Sequence, residues 1–285
     1  MSNTVSLALG TFDGLHLGHM AVLDGALSAP ADIKLAVTFS RPPKSYFSSE
    51  VFPLMSEKEK NERLEALGFC VVSLDFARVR EQSPEEFLCG LFDEYDIKYV
   101  SCGFNYRFGR NGAGDVGMLE DYSAKRGARC RVSLPVMNGG EPISSSRIRQ
   151  ALGSGDIVSA NAMLGRSYSL TATVVHGDAR GRTIGFPTVN QTPDGELAPV
   201  RNGVYRSVTE IDGKKYGSVT NIGIRPSFCT EHIGWETHIF TYSGDAYGKT
   251  VTVYLKEFIR PEQKFGSLDE LKAAIEKDKE ICESR

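Results

Sequence analysis

The first half of the chain alternates short apolar runs with stretches of helical spacing. The apolar runs predict strands at Val5–Leu9, Ile33–Phe39, Phe69–Leu74, Tyr99–Cys102 and Arg129–Leu134. Helices are predicted between them at Met20–Ser28, Glu57–Leu67, Pro84–Tyr95 and Met118–Arg126. Such alternation is typical of βα units, so we expect an α/β domain with a mostly parallel sheet.

After about residue 166 the pattern changes to strands that follow one another without helices between them. These strands are predicted at Tyr168–Val175, Gly203–Ile211, Lys215–Ile222, Trp235–Tyr242 and Thr250–Phe258. The pair Asp212-Gly213 separates two of them and favours a tight hairpin. Closely spaced strands of this kind imply a barrel or a sandwich.

The remaining pattern divides the chain into two domains. Residues 147–165 predict a helical connection. The last segment predicts a helix, with Ser267 as its N-cap and Glu270 completing a capping box. We therefore predict an α/β domain over residues 1–165 and an all-β domain with a terminal helix over residues 166–285.

Composition narrows the class of protein further. The 285 residues carry a formal net charge of −3 and no dominant block of Lys and Arg, which argues against a nucleic-acid-binding protein. The start of the chain lacks the features of a signal peptide, and no apolar run is long enough to span a bilayer. The six cysteines form no CxxC pair and are expected to be reduced thiols. We predict a cytoplasmic protein without a nucleic-acid or membrane partner.

The segment Gly10–His19, GTFDGLHLGH, directly follows the first predicted strand. A strand that enters a helix through a glycine-rich turn directs backbone N–H groups and the positive end of the helix dipole at an anion. His16 and His19 are expected to share one face of the first helical turn, and Gly18 has no Cβ that would keep a phosphate away. Taken alone, the segment is also consistent with a turn whose histidines only cap and pack.

A second candidate phosphate-binding pattern is Ile143–Arg149, ISSSRIR. Three serines open a predicted helix, so hydroxyl and N–H groups converge at its positive end. Arg149 can add a bidentate contact to phosphate oxygens. A plain serine-rich N-cap is the alternative interpretation of this pattern.

GTFDGLHLGH resembles the signature of nucleotidyltransferases that make and break α–β phosphate bonds, and with FDG it is most similar to the N-terminal module of bacterial bifunctional riboflavin kinase/FAD synthetases. ISSSRIR resembles the ISSTxIR motif of that family, and Gly103–Gly109 resembles its GxNFxFG segment. The resemblance implies a Rossmann-like domain in which His16 and His19 stabilise the charge that develops on the phosphates. It also implies nucleotide contacts from the following residues: Gly10, Phe12, Gly14, Gly18, Asn105, Ser144, Ser145 and Arg149.

The densest cluster of the second half is His176–Asn190, HGDARGRTIGFPTVN, whose glycines predict a loop able to fold over phosphates. Thr188 and Asn190 face the same side of an extended strand, and their oxygens are hard ligands of the kind that Mg²⁺ accepts beside nucleotide phosphates. A glycine-rich β-turn is the alternative. GFPTVN resembles the GxPTAN motif of riboflavin kinases, with Val189 in place of Ala. The implied nucleotide contacts are Gly177, Gly181, Gly185, Thr188 and Asn190.

The segment Trp235–Phe240, WETHIF, contains the candidate base of the second half. A carboxylate that faces a barrel interior is costly unless it has a task or a partner. Glu236 could accept the proton of a substrate hydroxyl, although a rim residue with a surface salt bridge is the alternative. ETHIF resembles the family's catalytic segment. His238 is expected to be structural rather than a metal ligand, because no second His or Cys stands at ligand spacing. Phe258–Phe265 resembles the FIRPExKF segment, a flap near the flavin, so Arg260 is a candidate flavin or nucleotide contact.

The family motifs occur in the expected order over nearly the whole chain. The resemblance implies that a C-terminal β-barrel transfers the γ-phosphate of Mg-ATP to the terminal ribityl hydroxyl of riboflavin, which gives FMN. The N-terminal domain then joins FMN to AMP from a second ATP, which gives FAD and pyrophosphate. The expected ligands are ATP, riboflavin, FMN, FAD and Mg²⁺, with Thr188 and Asn190 as candidate metal ligands.

Three alternatives stay open. Arg41 and Pro42 replace the Pro and His of the family's TFxPHP segment, which allows an active kinase with a weak or silent adenylyltransferase. An adenylyltransferase for another phosphate monoester fits the first half but leaves GFPTVN and ETHIF unexplained. A flavin-binding regulatory protein would not need Glu236 or His19, and both are present.

Overall fold

The computed structural model describes residues 3–176, 185–193, 195–226, 231–263 and 265–283. They fall into two units, Met1–Ser145 and Ser146–Arg285. The proposed domain boundary after residue 165 stays a prediction, and each unit is described separately below.

A parallel sheet with the strand order β3-β2-β1-β4-β5 forms the centre of the first unit. Its strands are β1 (Val5–Leu9), β2 (Ile33–Phe39), β3 (Cys70–Leu74), β4 (Ile97–Gly103) and β5 (Arg129–Ser133). The helices are α1 (Leu17–Leu27), α2 (Glu57–Ala66), α3 (Phe76–Val79), α4 (Pro84–Glu94) and α5 (Val116–Lys125). A short ribbon, β6 (Met137–Asn138) and β7 (Glu141–Pro142), follows them. The predicted parallel α/β architecture is confirmed.

The central strand β1 is buried along its whole length because helices cover both faces of the sheet. Leu7 and Leu9 pack into the core that α4 and α5 cover. Ala8 faces the opposite core, where it packs with Leu23 of α1 and Leu64 of α2. Burial on both faces explains why the strand reads as a continuous apolar run rather than an alternating one.

Three strand serines anchor helix α1 to the sheet. The Ser6 hydroxyl of β1 donates to the carbonyl of Ala26 at 2.8 Å, and the Ser101 hydroxyl of β4 donates to that of Val22 at 2.7 Å. The Ser133 hydroxyl of β5 donates to a third carbonyl of the same helix at 3.1 Å. Gly25 allows this close approach, since a Cβ there would lie 2.5 Å from Ser101 Oγ. The helix that begins at the HxGH motif is therefore fixed against three strands.

The second unit begins with two helices, α6 (Ser145–Ser154, whose first residue belongs to the first unit) and α7 (Ile157–Leu164). Its sheet is antiparallel and has the strand order β8-β13-β10-β11-β12-β9. The strands are β8 (Ser169–Thr173), β9 (Thr188–Gln191), β10 (Gly203–Ile211), β11 (Lys214–Pro226), β12 (Glu231–Ile239) and β13 (Thr250–Arg260). Helix α8 (Leu268–Glu283) ends the described chain. The predicted turn at Asp212-Gly213 joins β10 to β11, and both residues have positive φ.

This sheet curls until its two outer strands meet. The amide of Val175, just after β8, donates to the carbonyl of Asn190 in β9 at 2.9 Å. The side-chain amide of Gln191 donates to the carbonyls of Ala172 and Val251, both at 2.8 Å, and so joins β9 to β8 and β13. The predicted barrel is confirmed, and Gln191 closes its seam.

Hydroxyl groups occupy part of the barrel interior. Ser207 Oγ lies 2.7 Å from Ser218 Oγ and 2.8 Å from Thr220 Oγ1, and Thr220 Oγ1 lies 2.9 Å from Thr237 Oγ1. The Thr209 hydroxyl donates to Ser218 at 2.8 Å. All of these side chains are buried, and each has a partner on a neighbouring strand. We call these five residues the hydroxyl cluster.

Helix α8 begins as predicted but with an incomplete capping box. The amide of Glu270 donates to Ser267 Oγ at 3.2 Å, which is the first half of the motif. The Glu270 carboxylate accepts from the amide of Gly266 at 2.9 Å instead of from that of Ser267. The expected reciprocal bond to Ser267 was wrong by one residue, because the carboxylate reaches the amide just before the cap.

Candidate active sites

The first candidate site lies where β1 gives way to α1. His16 is the N-cap of α1, with extended backbone angles, so it precedes the first helical turn instead of lying within it as predicted. Its ring Nδ1 accepts from the amide of His19 at 3.2 Å. The two imidazole rings stack with centroids 3.6 Å apart and planes 15° from parallel. The cap therefore brings both histidines together at the positive end of the helix.

Phe12 and the glycines shape the turn that leads to these histidines. Phe12 is fully buried, and its ring edge meets the His19 ring at 5.6 Å. A Cβ on Gly10 would lie 2.8 Å from the Phe12 ring, and one on Gly14 would lie 2.6 Å from Leu54. A Cβ on Gly18 would lie 3.1 Å from the His16 ring. Glycine at these three positions therefore allows the turn to pack closely against the Phe12, Leu54 and His16 side chains.

Hydrogen bonds to Asp13 connect this turn to Leu54 and Ser145, both in the first unit. The Asp13 carboxylate accepts from the amide of Leu54 at 2.8 Å, and the Ser145 hydroxyl donates to the carbonyl of Asp13 at 2.9 Å. Ser144 immediately precedes the helix. Asn105 is exposed just after β4, the strand beside β1. The structure thus brings Ser145 to the HxGH turn and places Asn105 at the same edge of the sheet. Arg149 belongs to the second unit, and its contact with nucleotide stays a prediction.

A buried lysine near this turn was missed by the sequence reasoning. Lys60 of α2 is 4% exposed and donates to the carbonyl of Phe39 at the end of β2. Burial lowers the pKa of Lys60, and the negative charges of Glu57 and Asp13 oppose that shift. The sequence signal was weak, because Lys60 lies in a charged helix of the kind that usually faces solvent.

Aromatic rings cluster after β2 and β3, a second feature that the sequence did not reveal. Phe76 contacts the rings of Phe39, Tyr46 and Phe47 at centroid distances of 5.5, 5.0 and 5.9 Å. Phe47 is 68% exposed. Arg41, one of the residues that depart from the family pattern, places its guanidinium 6.0 Å from the Tyr46 ring. The cluster offers a partly exposed aromatic surface at the edge where the parallel strands end.

The second candidate site lies on β9 and β12. The Thr188 hydroxyl donates to Glu236 Oε1 at 2.8 Å. Asn190 is directly opposite Glu236 on one side, and Asn221 of β11 is opposite it on the other. Residues that oppose each other in an antiparallel pair project from the same face of the sheet. The structure therefore brings the three predicted residues Thr188, Asn190 and Glu236 onto one face.

That face is the outer one, which corrects an expectation. Trp235 and Thr237, the neighbours of Glu236 along β12, are buried in the barrel interior, whereas Glu236 is only partly buried. Because side chains alternate along a strand, Glu236 must point to the opposite side of the sheet. The expectation of a carboxylate inside the barrel was wrong, since the hydroxyl cluster occupies that position.

His238 lies beside this site and holds the chain that leads into it. Its ring Nδ1 is 2.8 Å from the carbonyl oxygen of Pro187. Burial lowers the pKa of His238, and the charge of Lys279 lowers it further, whereas the hydrogen bond with Pro187 opposes the shift. The ring also meets Phe186 edge to face at 5.4 Å. These contacts agree with a structural role for His238.

Arg260 is engaged within the second unit. Its guanidinium binds the Asp278 carboxylate of α8 through two nitrogens, Nη2 at 2.7 Å and Nε at 3.0 Å. The Arg260 and Asp278 side chains are 20% and 5% exposed. This ion pair ties α8 to β13, and the contact of Arg260 with flavin or nucleotide stays a prediction. Gly185 has a φ of +89°, and no atom lies within 4 Å of the place that a Cβ would take. Gly177 and Gly181 lie outside the described residues.

Comparisons with known proteins bear on both sites. A family described as FAD synthetase matches residues 1–147, and one described as riboflavin kinase matches residues 164–285. The bifunctional riboflavin kinase/FMN adenylyltransferase of Bacillus subtilis is 34% identical over 96% of this chain and 90% of its own length. The Escherichia coli K12 protein of the same name is 33% identical over 95% of this chain and 90% of its own length.

The chain belongs to the bifunctional riboflavin kinase/FMN adenylyltransferase family. The prediction of an enzyme of flavin cofactor synthesis, with riboflavin kinase and FAD synthetase domains, is confirmed. In this family the stacked histidines lie in the FAD synthetase match, and Thr188, Asn190 and Glu236 lie in the riboflavin kinase match.

The fold of this chain also occurs in a crystal structure described as that of a macrolide-efflux protein from Streptococcus pneumoniae. The two chains superpose with a TM-score of 0.89 at 30% identity, over 100% of this chain and 95% of the other. None of the helices in the described part of this chain combines the length and apolar character that a bilayer crossing requires.

The candidate metal ligands of the second site are the side-chain oxygen atoms of Thr188 and Asn190. Within the described ranges, no three His, Cys, Asp or Glu side chains come together as a metal site. The Thr188 hydroxyl and the Asn190 amide oxygen project from one face, and both are hard donors. Such a set fits Mg²⁺, which commonly uses few protein ligands and takes the others from water and substrate phosphates.

Proposed function

We propose that the β-barrel phosphorylates riboflavin with Glu236 as base, and that the α/β unit adenylylates the resulting FMN at the His16–His19 pair. The observation that carries the first assignment is the 2.8 Å hydrogen bond from Thr188 to Glu236, with Asn190 in register. The 3.6 Å stack of the two imidazoles at the start of α1 carries the second.

In the kinase reaction, Glu236 accepts the hydrogen bond from Thr188 at Oε1, and we assign this carboxylate as the group that meets the substrate hydroxyl. The terminal ribityl hydroxyl of riboflavin attacks the γ-phosphorus of ATP and gives its proton to Glu236, and ADP leaves. Thr188 and Asn190 would hold Mg²⁺, which neutralises phosphate charge when bound. A threonine hydroxyl has lone pairs besides its proton, so Thr188 can contact a cation and still donate to Glu236.

In the adenylyl transfer, a phosphate oxygen of FMN attacks the α-phosphorus of ATP, and pyrophosphate leaves. Negative charge grows on the phosphate oxygens as the bond to pyrophosphate lengthens. The His16 and His19 rings donate to these oxygens, and the amides of Leu17 and Gly18 at the start of α1 supply further donors. We assign Ser144, Ser145, Arg149 and Asn105 to nucleotide positioning, with Ser145 held against the turn by Asp13.

The aromatic cluster of Phe39, Tyr46, Phe47 and Phe76 supports a place for the flavin ring in the same reaction. Planar aromatic rings stack on one another, and the Phe47 side chain of this cluster is largely exposed. Arg41 lies at this cluster, so the departure from the family pattern falls where the acceptor would bind. We expect it to change the affinity for FMN more than the transfer chemistry.

Product analysis tests this function directly. The purified protein is incubated with riboflavin, ATP and Mg²⁺, and the flavins are separated by chromatography over time. We expect FMN first and FAD later. FMN without FAD would support an active kinase with a silent adenylyltransferase, and unchanged riboflavin would refute the proposal.

A further inference from the structure

His238 is a polar side chain beside the kinase site that the mechanism above does not use. It is directly opposite Thr188 in the pairing of β12 with β9. Its Nδ1 lies 2.8 Å from the Pro187 carbonyl oxygen, which has only lone pairs to offer. Nδ1 must therefore carry the hydrogen and donate it to that carbonyl.

This hydrogen bond acts on the peptide that leads directly into Thr188. The Pro187 carbonyl and the Thr188 amide belong to one planar group, so holding the carbonyl also fixes the orientation of the Thr188 backbone. The ring itself is held by Phe186 at 5.4 Å and by Phe240 at 5.7 Å. His238 is thus a fixed donor, and the peptide before Thr188 is what it holds.

We infer that His238 is a positioning residue of the riboflavin kinase site, which holds the Pro187–Thr188 peptide so that the Thr188 hydroxyl reaches Glu236 and the magnesium nucleotide. This inference rests on the proposed role of Thr188. The ring touches neither reacting atom and acts only through Thr188.

Two amide variants distinguish loss of the hydrogen-bond donor at position 238 from a change in the size of the side chain. In His238→Asn the side-chain amide nitrogen can take the place of Nδ1, whereas in His238→Gln it reaches the place of Nε2 and faces away from Pro187. His238→Phe keeps the ring but has no donor. We expect the KM for Mg-ATP in the kinase reaction to rise about tenfold for His238→Gln and His238→Phe, the factor of one net hydrogen bond, and less than about threefold for His238→Asn.

The adenylyltransferase of the same chain is the internal control for folding and active concentration. Its rate with FMN and ATP should be unchanged in all three variants. Equal KM values for His238→Asn, His238→Gln and His238→Phe would overturn the inference, because the donor would then not matter.

A spectroscopic measurement provides a test that does not depend on activity. Nitrogen NMR of the ¹⁵N-histidine-labelled protein without ligands should show the His238 proton on Nδ1. A proton on Nε2 alone would overturn the inference.

Thr188→Val separates this result from a failure of the proposed function. If Thr188→Val leaves the KM for Mg-ATP unchanged although Nδ1 is protonated, the role of Thr188 has failed. If Thr188→Val raises that KM and His238→Gln does not, the inference about His238 has failed alone.

Discussion

The two units satisfy buried hydroxyl groups in different ways. In the α/β unit, Ser6, Ser101 and Ser133 donate from the strands to carbonyls of α1. In the barrel, the buried hydroxyls of the hydroxyl cluster bind one another across neighbouring strands. A helix packed on the sheet offers its carbonyl oxygens to the strand serines, whereas the residues of the hydroxyl cluster find their partners among side chains of neighbouring strands. The difference shows that the same residue types stabilise a helix position in one unit and a strand register in the other.

The two candidate sites also depend on different parts of the fold. The histidines of the α/β unit depend on the position of one helix start, which the serines fix against the sheet. Thr188 and Glu236 depend on the register of β9 with β12. We therefore expect damage to one site to leave the other intact.

The largest expected effects come from replacing one proposed catalytic side chain in each site in turn. Glu236→Gln removes the proposed base and should lower the kinase rate by about 10²- to 10⁴-fold while FAD formation from supplied FMN continues. His16→Ala should lower FAD formation by about 10²- to 10³-fold while the kinase continues. Separate rate measurements on riboflavin and on FMN check both. Loss of both activities in either variant would contradict the independence of the two sites.

The next largest effect is expected from the ion pair that ties α8 to the barrel. Asp278→Ala leaves Arg260 without its carboxylate in a mostly buried place, which should lower the free energy of unfolding of the barrel by about 3 kcal/mol. Glu283→Ala is the matched control, because its pair with Lys279 on the same helix is 3.7 Å long and exposed. Denaturant unfolding followed by Trp235 fluorescence measures both. Similar losses in the two variants would show that burial of the pair is unimportant.

Removing one hydroxyl from the barrel interior sharpens the contrast between the units. Thr220→Val keeps the side-chain shape but deprives Ser207 and Thr237 of a partner, so we expect a loss of about 1–3 kcal/mol. Thr171→Val is the control, since its hydroxyl pairs with that of Thr252 on an exposed surface of the same sheet. A loss in the control as large as that of Thr220→Val would remove the distinction between buried and exposed hydroxyls.

The smallest expected effect is a pH trend in the α/β unit. Because burial lowers the pKa of Lys60, the unfolded chain binds this proton more tightly than the folded one. The stability of the wild type relative to Lys60→Met should therefore be constant at pH values below the folded pKa of Lys60. As the pH rises from that pKa towards about 10.4, the relative stability should increase by at most about 1.4 kcal/mol for each pH unit, and it should level off at higher pH.

Unfolding measured at several pH values checks this trend. Lys58→Met is the control, because the Lys58 side chain is 85% exposed on the same helix. A relative stability of the wild type that falls with rising pH would contradict the lowered pKa.

Much of the fold was predictable because its signals are local. The strands β1 and β2 and the turn at Asp212-Gly213 occur as predicted, since a continuous apolar run and a residue pair suited to positive φ are properties of neighbouring residues. The predicted helices occur with ends that differ by a few residues. For the candidate sites, the motifs singled out His16 with His19 and Thr188 with Glu236, and the structure brings each of these pairs into contact. The roles of the candidate site residues stay predictions.

Other features needed contacts between distant segments. The outward direction of Glu236 depends on which face of β12 closes over the hydroxyl cluster. The burial of Lys60 depends on where α2 packs against the end of β2, and the pairing of Arg260 with Asp278 depends on where α8 docks. None of these is encoded by spacing along the chain.

The sequence by itself determined the order of the elements, the family and the residue types at the two sites, because periodicity, turn chemistry and motifs are carried by residues close together in the chain. Only the tertiary structure decided which face each polar side chain presents and which partner it finds. Those choices depend on the burial of polar groups, whose cost is removed only by a partner that folding brings from a distant part of the chain.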